Sequence, residues 1–378
     1  MKPKLTFKIY APQELNHASY VQTGLFELEK EGFLSTKVVL SFKKCLGSIS
    51  LKNAVLETTK APHPKTSFYE LTDHTTNKTI HFATDLYDAS DSFSEYALTH
   101  CDFVFKRNYE SKYISQLPNE YQKRLHPLGW TFKVQTSNST GKNKKRVSFF
   151  ITNLLINTKV DKNVFKRIYS SFSKLLIQWN NFKNTPDLTV YEKQPEAPVN
   201  DFIVFQTRCF AHENDQELKQ LHQQRYRIIL LLRKQFPQLF KGGFIPSTLV
   251  NQNYKDAVTN LQTDPQSYLQ LVKSAKIGIY TQGIQDSPAW KMAEYLSQGK
   301  VVIAQKFKTE LPVPLEHKKH LLFFEHEDEI PGLCNLVLQD RALAEKLAHN
   351  GRKYYENHIA PKQNIKRIIE FILEEQNK

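Results

Sequence analysis

The sequence predicts an α/β protein made of two doubly wound domains, and three observations carry that expectation. At 378 residues the chain is too long for one small module, and roughly 100–200 residues per domain gives two. Short β-rich apolar runs alternate with helical periodicity in both halves, the pattern of strands joined by helical crossovers. A polar stretch containing Pro186, Pro195 and Pro198 lies between the halves and reads as a linker. The expected boundaries are residues 1–199 for the first domain, 200–360 for the second and 361–378 for a closing helical segment.

In the first half, residues 5–10 read as a strand, 20–30 as a helix, and 38–42 and 79–83 as further strands of a largely parallel sheet. Residues 94–99 then read as a helix and 102–105 as a strand. Val160, Val164, Ile168, Phe172, Leu176 and Trp179 recur at three- and four-residue intervals, the stripe of a long amphipathic helix. The second half opens with 202–206, an apolar run suited to a buried parallel strand, followed by a helix over 217–235 and a turn at Lys241-Gly242-Gly243. A strand over 276–280, a helix over 287–297 and a strand over 301–304 complete three βαβ steps. Residues 340–355 and 361–374 close the chain as helices, the last with Ile365, Ile368, Ile369 and Ile372 on one face. Two such domains leave a cleft facing the carboxyl ends of their strands, the place where open α/β sheets bind ligands.

Composition narrows the function classes. The balance of 52 Lys+Arg against 38 Asp+Glu gives a net charge of +14, which fits nucleic acid, an anionic membrane surface or a merely Lys-rich composition. The densest cluster, 142–146, lies in a Ser/Thr/Asn/Gly-rich stretch and reads as a solvated loop or a polyanion patch. No apolar run approaches the ~18 residues of a membrane span. The N-terminus lacks the apolar core and cleavage site of a signal peptide, so the expected location is the cytoplasm, with peripheral association on the inner face of the membrane. Cys45, Cys101, Cys209 and Cys334 form no Cys-x-x-Cys pair and read as reduced thiols. Phosphate-binding glycine loops of the Gly-x-x-x-x-Gly-Lys-Ser/Thr and Gly-x-Gly-x-x-Gly types are missing.

The most informative stretch runs from Tyr280 to Ile303 as strand, loop, helix, tight turn and strand. Ser287 suits an N-cap and Pro288 the first helical position, which would leave free N–H groups facing the loop, a good phosphate site. Glu294, almost two turns on, could accept hydrogen bonds from a sugar diol, and Asp286 could hold a second polyhydroxy group. The competing explanation is an ordinary capped amphipathic helix with a solvated Glu.

Asp286-x7-Glu294 followed by Tyr295-Leu296-Ser297-Gln298-Gly299-Lys300-Val301-Val302-Ile303 resembles the nucleotide-sugar signature of GT-B glycosyltransferases. The usual pattern is Glu-x7-Glu; here the first acid is Asp, one methylene shorter. The resemblance spans about 200–375. It implies two Rossmann-like domains facing a cleft, with the closing helix packed back on the first domain. It also implies transfer of a sugar from a nucleotide diphosphate sugar to a glycan or lipid-linked acceptor, in polysaccharide biosynthesis, with the donor as substrate and no further cofactor. Arg208 and Lys241 are the candidate cations for the diphosphate, or else a surface ion pair and a helix-terminal charge. His17 is placed in the loop after the first strand as a candidate base, or as a plain polar loop residue. Asp85 could orient an acceptor hydroxyl, and Asp88 and Asp91 lie nearby, Asp91 better read as a cap. No Asp-x-Asp pair is present and His317, His320 and His326 read as a polar loop, so the expected reaction needs no metal. The rivals are a basic nucleic-acid-binding protein, which lacks any recognisable recognition motif, and a non-catalytic glycan-binding relative.

Overall fold

The computed structural model describes residues 4–41, 43, 45–52, 55–137, 169, 172–173, 176–177, 179–180, 183–192, 197–210 and 216–376. The basic cluster at 142–146 and most of the helix expected over 160–179 lie outside the described residues. The chain divides into two compact units: Met1–Val190 with Thr309–Pro312 and Ile359–Lys378, and Tyr191–Lys308 with Val313–His358. The first division falls between Val190 and Tyr191, ahead of the boundary near Asn200 read from the prolines. No helix among the described residues is long and apolar enough to cross a membrane.

The first unit begins with β1 (Leu5–Ala11), α1 (Leu15–Lys30) and β2 (Ser35–Leu40), a helix joining two parallel strands. A hairpin of β3 (Ser48–Lys52) and β4 (Val55–Thr59) follows, then β5 (Thr66–Asp73), β6 (Lys78–Asp85), β7 (Ser92–Ser94), α2 (Glu95–His100), β8 (Phe103–Lys106) and β9 (Leu125–Pro127). The main sheet has the order β2-β1-β5-β6-β8-β9, and β4-β3-β7 form a second, three-stranded sheet. Five of the main sheet's six strands run in one direction, as expected of a largely parallel sheet, and β5 alone is reversed, pairing antiparallel with both β1 and β6. The short connection from Asp73 to Lys78 is hairpin-length, and a parallel crossover needs a dozen residues or more.

The closing helix, Pro361–Glu375, belongs to this unit and buries Ile365, Ile368, Ile369 and Ile372. It lies on α1, where Tyr20 donates to the Ile359 carbonyl at 2.5 Å and Asn364 Nδ2 donates to Tyr20 Oη and to the Leu128 carbonyl, both at 3.0 Å. Gly24 sits mid-helix because a Cβ there would collide with the Pro361 carbonyl and the Ile365 side chain.

The second unit is a doubly wound α/β layer. It contains β10 (Asn200–Thr207), α3 (Gln216–Gln235), β11 (Phe240–Phe244), α4 (Pro265–Ser274), β12 (Ala275–Tyr280), α5 (Lys291–Ser297), β13 (Val301–Gln305), β14 (Leu322–Phe324), α6 (Ile330–Gln339) and α7 (Arg341–Tyr354). Its sheet runs β11-β10-β12-β13-β14 with every pair parallel. Ile203, Phe205, Ile277, Ile279, Val301 and Ile303 point into a core with Ile228, Ile229 and Leu232 of α3. The opposite face takes α5, whose Tyr295 ring presses so close to Gly278 that a Cβ there would stand 2.8 Å from it. Lys241-Gly242-Gly243 is part of β11 and not a turn, because Gly242 and Gly243 at φ +154° and +142° lie where a side chain would strike the Phe205 backbone and the Ala257 carbonyl.

An alanine in a helix interior ordinarily gains up to ~1 kcal/mol over glycine. At Gly24 packing reverses the sign: Gly24→Ala is expected to destabilise by about 1–3 kcal/mol, the cost of overpacking, read as a lowered urea midpoint.

Candidate functional site

The order β11-β10-β12 contains a topological switch: the chain leaves β10 toward one neighbour through α3, and β12 pairs on β10's other side. Loops from the carboxyl ends of β10 and β12 therefore diverge and leave a crevice, the standard ligand position of such sheets. Arg208 leaves β10 at this edge and is exposed. Thr281 and Gln282 leave β12 here, both buried. Arg225 of α3 reaches the crevice from the core side. It donates through Nη1 to the Arg208 carbonyl at 2.9 Å, through Nη2 to the Gln282 carbonyl at 3.0 Å and through Nε to Thr281 Oγ1 at 3.3 Å. The ring of Phe210 lies under both guanidinium groups, with centroid distances of 5.8 Å to Arg208 and 5.5 Å to Arg225.

The loop after β12 turns sharply. Gln285 and Asp286 have φ of +56° and +52°, a conformation that costs a non-glycine residue about 1 kcal/mol or more and is concentrated at functional sites. Gly283 N–H donates to the Ser287 carbonyl at 2.8 Å and Gln282 Nε2 to the Asp286 carbonyl at 3.2 Å, closing the loop on itself. α5 starts only at Lys291, with Trp290 before it, so Ser287 is not its N-cap. Ser287 instead ends the turn 284–286, its N–H bonded to the Ile284 carbonyl at 3.1 Å, and it is buried. With only seven residues in α5 and no side-chain cap, the phosphate site expected from a long capped helix is not built that way.

What α5 does deliver is a pair one turn apart. Lys291 and Glu294 are both half-buried, and Lys291 Nζ donates to Tyr268 Oη at 2.7 Å while lying 4.2 Å from the centre of that ring. Burial lowers Lys291 from its usual value to about 8; the Glu294 charge pulls it back up, while Arg225 and Arg208 push it further down. Burial raises Glu294 above the ordinary carboxyl range, against the opposing pull of Lys291 and Arg208. Arg208, Arg225, Lys291 and Glu294 thus form one electrostatic group of three cations and one acid at the carboxyl edge of the sheet. Among the described residues, the Glu294 carboxylate accepts no hydrogen bond and makes no ion pair within 4.0 Å.

The other expected residues lie elsewhere. Asp286 faces outward and accepts from Lys308 Nζ at 2.7 Å. Lys241 sits within β11 opposite Val204, its ammonium 4.2 Å from the centre of the Phe202 ring, which takes it away from the carboxyl edge. In the first unit, His17 is in the first turn of α1 and not in a loop, with Nδ1 2.5 Å from Glu14 Oε2. Glu14 caps that helix through the Asn16 and His17 N–H groups. Burial alone would raise Glu14, but these hydrogen bonds and the His17 charge bring it down to about 2. Burial lowers His17, against the Glu14 hydrogen bond, with Lys65 and Arg107 adding to the fall. Asp85 is fully buried and saturated: Lys106 Nζ donates to Oδ2 at 2.9 Å, His63 Nε2 lies 3.3 Å from Oδ1, and the Tyr87 N–H donates to Oδ1 at 3.0 Å. Burial would raise its pKa, yet Lys106 and His63 hold it far below the usual carboxylate range. Asp85 therefore ties strands together and offers nothing to an acceptor. Asp88 bridges Lys65, at 2.5 Å, and Arg107. No group of three His, Cys, Asp or Glu side chains with metal-ligand geometry occurs among the described residues. Lys291 and Arg225 are the site residues that the sequence reading missed.

A sequence-family model described as glycosyl transferase-like matches residues 231–370. That stretch, about a third of the chain, is similar to glycosyl transferase-like domains. It contains Lys291, Glu294 and the segment whose resemblance to GT-B glycosyltransferases the sequence carried, and glycosyltransferase is the activity the family description gives. Solved structures similar to the chain include the C-terminal domain of a glycosyl transferase group 1 family protein, LpcC, from Francisella tularensis. It is 14% identical, with 46% of this chain and 97% of that one covered and a TM-score of 0.32. Anabaena HepE in complex with UDP is 11% identical over 72% of this chain and 92% of that one, with a TM-score of 0.36. The UDP-GlcNAc 2-epimerase of Neisseria meningitidis bound to UDP-GlcNAc is 14% identical over 74% and 64%, with a TM-score of 0.36. Comparison with curated proteins gave no match.

The second unit holds Lys291 at some cost to its own stability. The folded value near 8 lies below the usual 10.5, so between the two the unfolded chain binds more protons and stability rises with pH. At pH 7 the charged, desolvated ammonium opposes folding. Lys291→Met is expected to stabilise the protein by about 1–2 kcal/mol at pH 7, with the gain fading above pH ~10. Thermal unfolding across that pH range measures it.

Proposed function

We propose that the protein transfers a sugar from a nucleoside diphosphate sugar to a glycan or lipid-linked acceptor without a divalent metal. The observation that carries this reading is the cluster at the carboxyl edge of the second unit's sheet: Arg208 and Lys291 as exposed or half-buried cations beside the Glu294 carboxylate. A diphosphate is the leaving group of such a transfer, and negative charge develops on it as the bond from the sugar C1 to the phosphate oxygen breaks. Arg208 and Lys291 are suited to stabilise that charge, the role a metal ion takes elsewhere. Glu294, half-buried and accepting no hydrogen bond among the described residues, is suited to take both hydroxyls of a ribose. Asp286, turned outward and paired with Lys308, stands apart from this cluster and takes no donor-sugar role in this reading.

In the first unit, His17 is the group suited to take the proton from an acceptor hydroxyl. Its low pKa keeps it neutral near pH 7, and Glu14 on Nδ1 fixes the ring and stabilises the imidazolium that forms. The net charge of +14 supports peripheral binding to an anionic membrane face, where a lipid-linked acceptor would be presented.

A thermal-shift panel of UDP, GDP, CMP and dTDP sugars tests the reading and selects the base; no shift with any of them would sink it. Glu294→Gln removes a charged acceptor and is expected to weaken UDP binding roughly 10- to 100-fold, the worth of about 1.5–3 kcal/mol, with the fold intact. Equal affinities by calorimetry would remove the ribose role. UDP binding is also expected to survive EDTA, and loss that Mn²⁺ restores would contradict the metal-free site.

A further inference from the structure

Arg225 is placed where an apolar residue belongs. On α3 the buried positions are Leu218, His222, Arg225, Ile228, Ile229 and Leu232, so its side chain leaves from the helix face that packs on the sheet. It is 4% exposed, and no Asp or Glu among the described residues forms an ion pair with it. Its three hydrogen bonds all go to neutral acceptors, one on the loop after β10 and two on the loop after β12. Burying a guanidinium in this way satisfies its donors and leaves its charge uncompensated, which is costly unless something else supplies negative charge. The charged groups of the cluster do not relieve this: Arg208 and Lys291 are cations, and the Glu294 carboxylate is set against those two.

Resting on the donor reading above, we propose that Arg225 is a positioning residue for the diphosphate of the ligand. Its planar fork ties the two loops of the switch crevice together across their carboxyl ends. On one side this fixes the backbone of Arg208. On the other it fixes Gln282, whose own amide holds the Asp286 carbonyl and so the strained turn leading to Lys291 and Glu294. Behind these groups, the Arg225 charge strengthens the field that an anion meets in the crevice, without touching the anion. A lysine can supply the charge but not the fork, because its single ammonium cannot reach three acceptors in one plane.

The two contributions separate experimentally. UDP and, independently, inorganic pyrophosphate are titrated by calorimetry into the full-length parent, Arg225→Gln and Arg225→Lys at two salt concentrations, with circular dichroism to establish the fold. Arg225→Gln is expected to bind both probes at least tenfold more weakly and with a shallower salt dependence, since one cation has left the field. Arg225→Lys is expected to bind more weakly than the parent with the parental salt dependence. A purely structural role would weaken both variants and leave the salt dependence untouched, which overturns the proposal, as does parental affinity in Arg225→Gln. Should Arg225→Gln fail to fold, Arg225→Lys decides: parental affinity for both probes overturns it. A parent that binds neither probe defeats the donor reading along with the proposal, whereas a binding parent with unaltered variants defeats the proposal alone.

Discussion

A parallel sheet cannot be made of hairpins, so every strand of the second unit returns through a crossover and all five carboxyl ends share one edge. The order β11-β10-β12 adds one further constraint, because the crossovers leaving β10 and β12 go to opposite faces and their loops part. The candidate site follows from these two facts. Arg208 and Glu294, far apart in sequence, come within electrostatic reach because β10 and β12 are neighbours in register and Gly278 lets α5 lie close on β12. The strained turn at Gln285 and Asp286 is what the chain does to enter α5 from that edge within a few residues.

The two units treat buried charge differently. Asp85, Lys106 and His63 are buried together, yet each is answered: Lys106 also donates to the carbonyls of Ala89 and Ser92 at 2.9 and 2.8 Å. That network closes on itself and has no use for a ligand. At the carboxyl edge of the second sheet the charges do not balance. Arg225 is buried among neutral acceptors, Lys291 is desolvated to the point of losing its proton near pH 8, and Glu294 accepts no hydrogen bond among the described residues. Desolvated charges that are not neutralised weaken the free protein, and the proposed diphosphate would bring negative charge to the cations while its ribose met Glu294.

Much of the second unit was legible in the sequence because its strands are compact apolar runs between helices with a clear period. Strands at 202–206, 276–280 and 301–304 lie within β10, β12 and β13, and 217–235 within α3. The three-residue β14 and the helix α6 carried too little pattern to be read. In the first unit the antiparallel pairing of β5 was not legible, since strand direction depends on partners distant in sequence. Ser287-Pro288 is a real helix-start signal, but two left-handed residues before it divert the chain and the helix begins at Lys291. Asp85 looked available because a strand end is where functional acids sit, and only the fold reveals Lys106 beside it. Both missed residues did leave a trace. Lys291 stands one turn before Glu294 on the same helix, and Arg225 interrupts an apolar stripe at the spacing of a core position.

If this unbalanced edge is a nucleoside diphosphate site, as proposed, a crystal structure of the protein with UDP will place the nucleotide there. Phosphate oxygens are expected within hydrogen-bond distance of the Arg208 guanidinium and the Lys291 ammonium, with the ribose diol on Glu294 and Arg225 still bonded to the two loops behind them. UDP bound away from the carboxyl ends of β10 and β12, or bound there with Glu294 and Lys291 uninvolved, would contradict it.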